Sequence, residues 1–243
     1  MPGAEAPAPP APARARPGRT RALAALLAAA VVLQFGYPVT GYGALWTAAY
    51  MLGYAVMLAV GIVVVRDEGQ HVAPMVAVTG VFLVCGTWFA VAQDSTTATA
   101  AMLTSVVLAM GTLIFALLRF VFRRSRAAGL DLVLASVTAY LVLGGLFAAG
   151  FALLELVAPG SFADPQSGGG PLTWQETLYY AYVTLATLGY GDVLPVTPWA
   201  RSLGSFVAVV GTLYLTVVVA RLVGIWSSTA SDGVREENAG ASS

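Results

Sequence analysis

Polar and apolar positions along this chain fall into long apolar runs separated by short polar breaks. The runs cover residues 22–35, 44–65, 72–92, 98–122, 130–157 and 203–226. A hydrocarbon core about 30 Å thick takes roughly 20 helical residues to cross. The last five runs reach that length and are predicted as membrane-spanning helices, each with room for some tilt. Run 22–35 is shorter, is preceded by Arg14, Arg16, Arg19 and Arg21, and ends at Gly36, Tyr37 and Pro38. It reads as a short first spanning helix or as the core of a cleaved signal peptide. The lack of a small-x-small site after it favours the helix.

The polar breaks divide the chain. Residues 1–21 are rich in proline, alanine and arginine with no periodicity able to bury a core, so a disordered amino-terminal segment is expected. Residues 22–126 hold four spans, 127–226 hold the last two with the segment between them, and 227–243 form a short polar tail. Residues 160–171 read as a polar, glycine-rich turret. Thr40 to Gly43, reading Thr-Gly-Tyr-Gly straight after Pro38, reads as a surface turn.

Between the last two spans the pattern changes character. Thr173-Trp174-Gln175-Glu176 fits a capping box, in which the threonine and the glutamate three residues on satisfy the first free amides of a helix. The helix is predicted to run to about Thr184. That is too short to span but suits a re-entrant segment buried in protein. Its carbonyl end carries partial negative charge and is expected to face the centre of a pore.

Directly after it comes Thr187-Leu188-Gly189-Tyr190-Gly191-Asp192. A run of carbonyls facing one axis replaces the water of a cation without burying a net charge, as in the Thr-Val-Gly-Tyr-Gly loops of potassium channels. Such a run forces alternate residues to positive φ, which glycine adopts at no steric cost. Gly189 and Gly191 stand at alternate positions. Thr187 adds a hydroxyl, and Leu188 and Tyr190 are expected to point away from the axis.

Composition agrees with the pattern. Apolar residues make up 58% of the chain and charged residues 10%, which excludes a soluble domain with an ordinary charged surface. The single cysteine, Cys85, lies in an apolar run, so no disulfide forms within the chain. No cluster of catalytic carboxylates, histidines or metal ligands marks the spans, and no enzyme is expected. With the amino terminus inside, Arg14 to Arg21, Arg66, Arg119 to Arg126, Arg221 and Arg235 gather on the cytoplasmic side and only Arg201 falls outside. Both termini are then cytoplasmic, and the filter-like loop enters from the outer face.

The stretch 173–226 resembles the pore helix, filter and inner helix of the potassium-channel superfamily. Residues 192–201 are similar to the filter-to-inner-helix connection of the simple streptomycete channel of that type, and 130–157 correspond to its outer helix. The resemblance covers a little under half of the chain and leaves out the first four spans. It implies an all-α membrane protein: four transmembrane helices, then an outer helix–pore helix–filter–inner helix unit, assembled as a homotetramer in the plasma membrane. It implies potassium ions held at Thr187, Leu188, Gly189 and Tyr190, with Gly191 completing the filter and Asp192 at the outer mouth. Tyr179 and Tyr180 fall on an aromatic cuff that tethers Asp192 and Tyr190. Val183 stands behind the filter where the simple channel has a glutamate, so a carboxyl pair with Asp192 cannot form. Gly211 falls at the inner-helix hinge, though close helix packing explains a glycine there nearly as well. Thr212, Leu215 and Val219 are expected to line the cavity, and Val219 and Val223 to narrow its inner end.

The function implied is passive, potassium-selective conduction with no cofactor, in contact with lipid and potassium ions and with no nucleic acid. A weakly selective cation channel, permitted by Leu188, and a potassium uptake transporter subunit are the alternatives. Strong voltage gating is not expected, because the arginines of run 98–122 and its flank cluster at one end, from Arg119 to Arg126, and 98–118 carries no charge. His71, beside Asp67 and Glu68, reads as a solvated loop residue.

Overall fold

Every apolar run forms a helix in the computed structural model of the chain, which describes residues 17–38, 44–67, 71–123, 129–165 and 170–241. The elements are α1 (Pro17–Phe35), α2 (Ala44–Asp67), α3 (Ala73–Val91), α4 (Thr96–Arg123), α5 (Gly129–Val157), β1 (Phe162–Ala163), α6 (Trp174–Leu185), β2 (Leu194–Pro195) and α7 (Pro198–Ala241). Six of these helices, all but α6, are long and apolar enough to cross a membrane. Boundaries lie within a few residues of the sequence expectation except at α1, which begins at Pro17 so that residues 17–21 of the segment expected to be disordered are helical, and at α7. That helix begins five residues earlier than the predicted 203, because Pro198 suits a first turn and Thr197 caps it, its Oγ1 accepting from the Ala200 amide at 3.3 Å. Its backbone also stays helical to Ala241, so the polar tail continues the helix; no proline follows Pro198 to stop it. The amino-terminal residues 1–16, the turn at 40–43, Glu68, and Arg124 and Arg126 lie outside the described residues.

The helices pack around α5. Residues from α1, α4, α6 and α7 all meet it, and sixteen of its residues are buried, among them Leu132, Ala135, Ala139, Val142, Phe147 and Phe151. Helix association in lipid rests on packing and hydrogen bonds. The inner faces supply both. Tyr182 of α6 donates to the Leu141 carbonyl at 2.6 Å, and Tyr214 of α7 to the Ser136 carbonyl at 2.6 Å. By contrast α3 and α7 leave broad apolar faces uncovered, with Val81, Leu83 and Val84 on one and Phe206, Val209, Leu213 and Val217 on the other.

Two polar ties fix the ends of the bundle. At the arginine-rich end, Asp131 in the first turn of α5 is fully buried and is held by α1: Arg19 Nε at 2.8 Å and Nη2 at 2.7 Å meet its Oδ2, and the Thr20 hydroxyl donates to its Oδ1 at 2.6 Å. The same guanidinium lies over the Phe120 ring of α4. At the other end, buried Glu155 accepts the amides of Gly160 (2.8 Å) and Phe162 (3.1 Å), shaping the turn out of α5. The turn leads into an antiparallel pair, Phe162 opposite Pro195 and Ala163 opposite Leu194, that clips the turret to the loop before α7. This two-residue ladder is the one departure from an all-α reading among the described residues.

Candidate functional site

The site is assembled on α6. Its capping box forms as the sequence predicts: Thr173 Oγ1 accepts the Glu176 amide at 3.3 Å, and Glu176 Oε2 accepts the Thr173 amide at 2.6 Å. Two free amides are thereby satisfied and the helix entry is fixed. The Tyr182 ring lies where Gly144 of α5 has no side chain; a Cβ there falls 2.3 Å from ring carbon Cε1. The re-entrant helix therefore sits directly on the α5 backbone.

Beyond α6 the path of the loop is set by the partners of its amides. The Thr187 amide bonds to the Thr184 carbonyl at 3.0 Å, and the amides of Leu188 (2.9 Å) and Gly189 (3.3 Å) converge on the Val183 carbonyl. In a trans peptide each C=O points opposite to the N–H of the next residue. The carbonyls of Thr187 and Leu188 therefore face away from α6. The carbonyls of Thr187, Leu188, Gly189 and Tyr190 accept no hydrogen bond from any described residue. Backbone dihedrals alternate in step: φ is 57° at Thr187, 57° at Gly189 and 80° at Gly191. Alternation of left- and right-handed residues gathers N–H groups on one side of the chain. Glycine carries this conformation freely, and sequence reasoning anticipated it at 189 and 191. It did not anticipate Thr187, which holds positive φ alone among the described non-glycine residues, at a strain of order 1–3 kcal/mol. The left-handed stagger was the signal, since Thr187 is two residues before Gly189.

Asp192 closes the loop. Tyr179 Oη donates to its Oδ2 at 2.5 Å, and the Val193 amide donates to its Oδ1 at 2.9 Å. The phenol's hydrogen bond, helped by the Val193 amide, holds the Asp192 carboxyl below its ordinary range. That same bond pushes the Tyr179 hydroxyl up to about 12. The rings of Tyr179 and Tyr190 stack, 5° from parallel with centroids 6.5 Å apart.

Tyr180 does not join this cuff. It is buried among Phe151 and Phe162, with ring centroids at 4.9 and 5.4 Å, on the α5 side of α6. Successive helical residues are about 100° apart, so two adjacent tyrosines cannot both face the loop. Val183 takes part through its carbonyl, and its side chain is buried.

Gly211 sits in the narrow stripe of α7 that is buried, with Gly204, Val207 and Val218. It faces the end of α6: a Cβ there falls 2.0 Å from the Leu185 carbonyl oxygen. Close approach thus accounts for the glycine. Thr212, Leu215, Val219 and Val223 are exposed along the flank of that stripe, the last about 18 Å below Gly211 along the axis. Leu188 and Tyr190 are also largely exposed on the single chain.

A multi-pass membrane protein whose last two spans bracket a re-entrant helix and a carbonyl-presenting loop has the architecture of an ion channel. Comparison with known proteins agrees. Residues 130–227 match the family model described as "Ion channel". Over 85 residues the chain is 31% identical to "Two pore potassium channel c" of Oryza sativa subsp. japonica, an alignment covering 35% of this chain and 17% of the rice protein. No solved structure matches the chain. The chain thus resembles ion channels over its carboxy-terminal unit, and the potassium channels among them through the rice relative, of whose length it spans about a sixth.

Proposed function

We propose that the chain is one subunit of a homotetrameric, potassium-selective channel of the plasma membrane. The observation that carries this reading is the backbone at 187–191. The amides of Thr187, Leu188 and Gly189 are spent on Thr184 and Val183, while the carbonyls of 187–190 accept no bond from any described residue, so the chain offers a column of oxygens with no buried net charge. One copy supplies one wall, and the exposed apolar faces of α7 supply surface for neighbouring copies. Ions lose water, occupy sites at Thr187, Leu188, Gly189 and Tyr190, and displace one another outward or inward. Thr212, Leu215 and Val219 line the cavity beneath, and Val219 and Val223 narrow its inner end. The rice relative's name supports potassium as the ion.

Residues 127–226 form the pore unit in this reading, and 22–126 form a peripheral four-helix region. Both termini are cytoplasmic, following the arginine distribution. Strong voltage dependence is absent, because α4 from Thr96 to Leu118 carries no charge and a steep response needs several charges moving through the field.

The test is the reversal potential of purified protein in planar bilayers with potassium on one side and sodium on the other. A reversal displaced far toward the potassium equilibrium value is expected. A clear current reversing near zero would replace this reading with that of a weakly selective cation channel.

Asp192 gives a second test. Its carboxyl is lowered in the folded protein, so its charge is present at neutral pH and is lost only as pH falls through that lowered value. Tyr179→Phe removes the bond chiefly responsible and returns the carboxyl toward its ordinary range. External acid is expected to reduce the current at a higher pH in the variant than in the wild type. Identical acid titrations would disconnect Asp192 from conduction.

A further inference from the structure

A cavity of about 510 Å³ opens between the four-helix region and the entry to α6, outside everything assigned to conduction. Its volume falls in the range of ligand sites, roughly 300–1,000 Å³. Its wall on α4 runs from Thr96 to Val106, ten residues or about 15 Å of helix. That is one leaflet of a core about 30 Å thick. The floor is apolar, with Phe82, Met102 and Val106, while Trp174 and Glu155 stand at the end nearest the loops.

The polar end carries two pieces of information. The Trp174 indole Nε1 is buried and has no hydrogen-bond partner; it lies close to the Tyr50 hydroxyl without reaching bonding geometry. A buried donor left unpaired costs about 1–3 kcal/mol, so an acceptor entering here gains what the chain lacks. Glu155, also at this end, has both carboxylate oxygens already bonded to the Gly160 and Phe162 amides. Its negative charge disfavours an anionic group beside it. The site therefore calls for a neutral acceptor joined to an apolar chain one leaflet long.

We propose that the cavity holds one acyl chain of a bilayer phospholipid, whose ester carbonyl accepts the Trp174 Nε1–H. The depth, the apolar shaft and the neutral acceptor at the interface are the three features of such a lipid. Because Pro171, Leu172 and Trp174 form the cavity wall and lead into α6, the acyl chain acts as a wedge behind the re-entrant helix. The carbonyl of Val183, nine residues along α6 from Trp174, holds the loop amides, so the wedge bears on the seat of the site.

The experiment uses the full chain in liposomes doped with a phosphatidylcholine bearing a diazirine in one acyl chain. Photolabelling is read by peptide mass spectrometry and needs no current, so it is independent of the conduction test. Labelling at Met102 and Leu103 is expected to saturate at a mole fraction about tenfold lower than labelling at Val81 and Val84, which lie on the exposed face of α3. Parallel titration of both sets would overturn the proposal, as bulk lipid alone then explains the labelling. Ala152→Phe, which fills the cavity, is expected to abolish the high-affinity component and leave the α3 labelling unchanged; its persistence would also overturn the proposal. Saturable labelling by a diazirine fatty acid but not by the phospholipid would overturn it too, assigning the cavity to free acids instead.

Discussion

Gly211→Ala is expected to remove the potassium current and to lower the melting temperature of the detergent-solubilised protein. The added Cβ meets the Leu185 carbonyl oxygen at 2.0 Å and its carbon at 2.9 Å. Ordinary contact requires α7 to retreat by more than about 1 Å. The obstacle is backbone at the end of α6, where Val183 and Thr184 anchor the loop amides, so it cannot rotate aside as a side chain does. Overpacking of this kind costs about 1–3 kcal/mol. Gly224→Ala on the same helix is the control: its Cβ meets nothing within 4 Å, and alanine is the better helix former by up to about 1 kcal/mol. The pair separates two roles for Gly211. A hinge alone would leave the alanine variant as stable as the wild type and only less able to open. A packing contact costs stability as well, and trimming Leu185 to alanine does not restore it, because the nearest atom is the carbonyl oxygen. An alanine variant with wild-type melting would remove the packing role.

How much of this was legible beforehand depends on the range of each interaction. Helix positions depend on apolar runs and local caps, so Thr173 and Glu176 announced the start of α6 three residues apart. The alternate glycines at 189 and 191 likewise carry their backbone requirement in their own identity. The left-handed Thr187 does not, because threonine occupies that conformation only when its neighbours impose it. Choosing between Tyr179 and Tyr180 needed the rotation of α6 against α5, which two adjacent aromatic letters do not specify. The role of Gly211 depended on a contact with Leu185, twenty-six residues away and in another helix. Asp131 was a missed signal: an ionisable residue at the edge of an apolar run is costly there and is retained with a partner. Which of the several amino-terminal arginines answers it could not be read from the sequence, as 112 residues separate the two.

That pair supports the second large prediction. Asp131→Ala leaves the Arg19 guanidinium, only 10% exposed, without its carboxylate, and removes the acceptor of the Thr20 hydroxyl. Breaking one side of a buried ion pair costs about 3–5 kcal/mol, because the surviving charge remains out of water. The loss should appear as a strongly lowered melting temperature, and in the chain as weakened docking of α1 on α5. Replacing both partners is expected to behave differently. Arg19→Met with Asp131→Leu leaves no charge behind, and methionine keeps a favourable contact with the Phe120 ring over which Arg19 now lies. The double variant should therefore recover most of the lost stability, giving a coupling energy well beyond the additive range of about 0.5 kcal/mol. Asp131→Asn should fall between, since its amide oxygen still accepts a neutral bond from Thr20. If Asp131→Ala melts like the wild type, the tie between α1 and α5 contributes nothing, and residues 17–35 are not held to the bundle by their charged end. If the single variant is damaged and the double variant recovers, the first helix is anchored by this pair. The helix around which the bundle packs, and on which the re-entrant segment sits, is then braced from its far end.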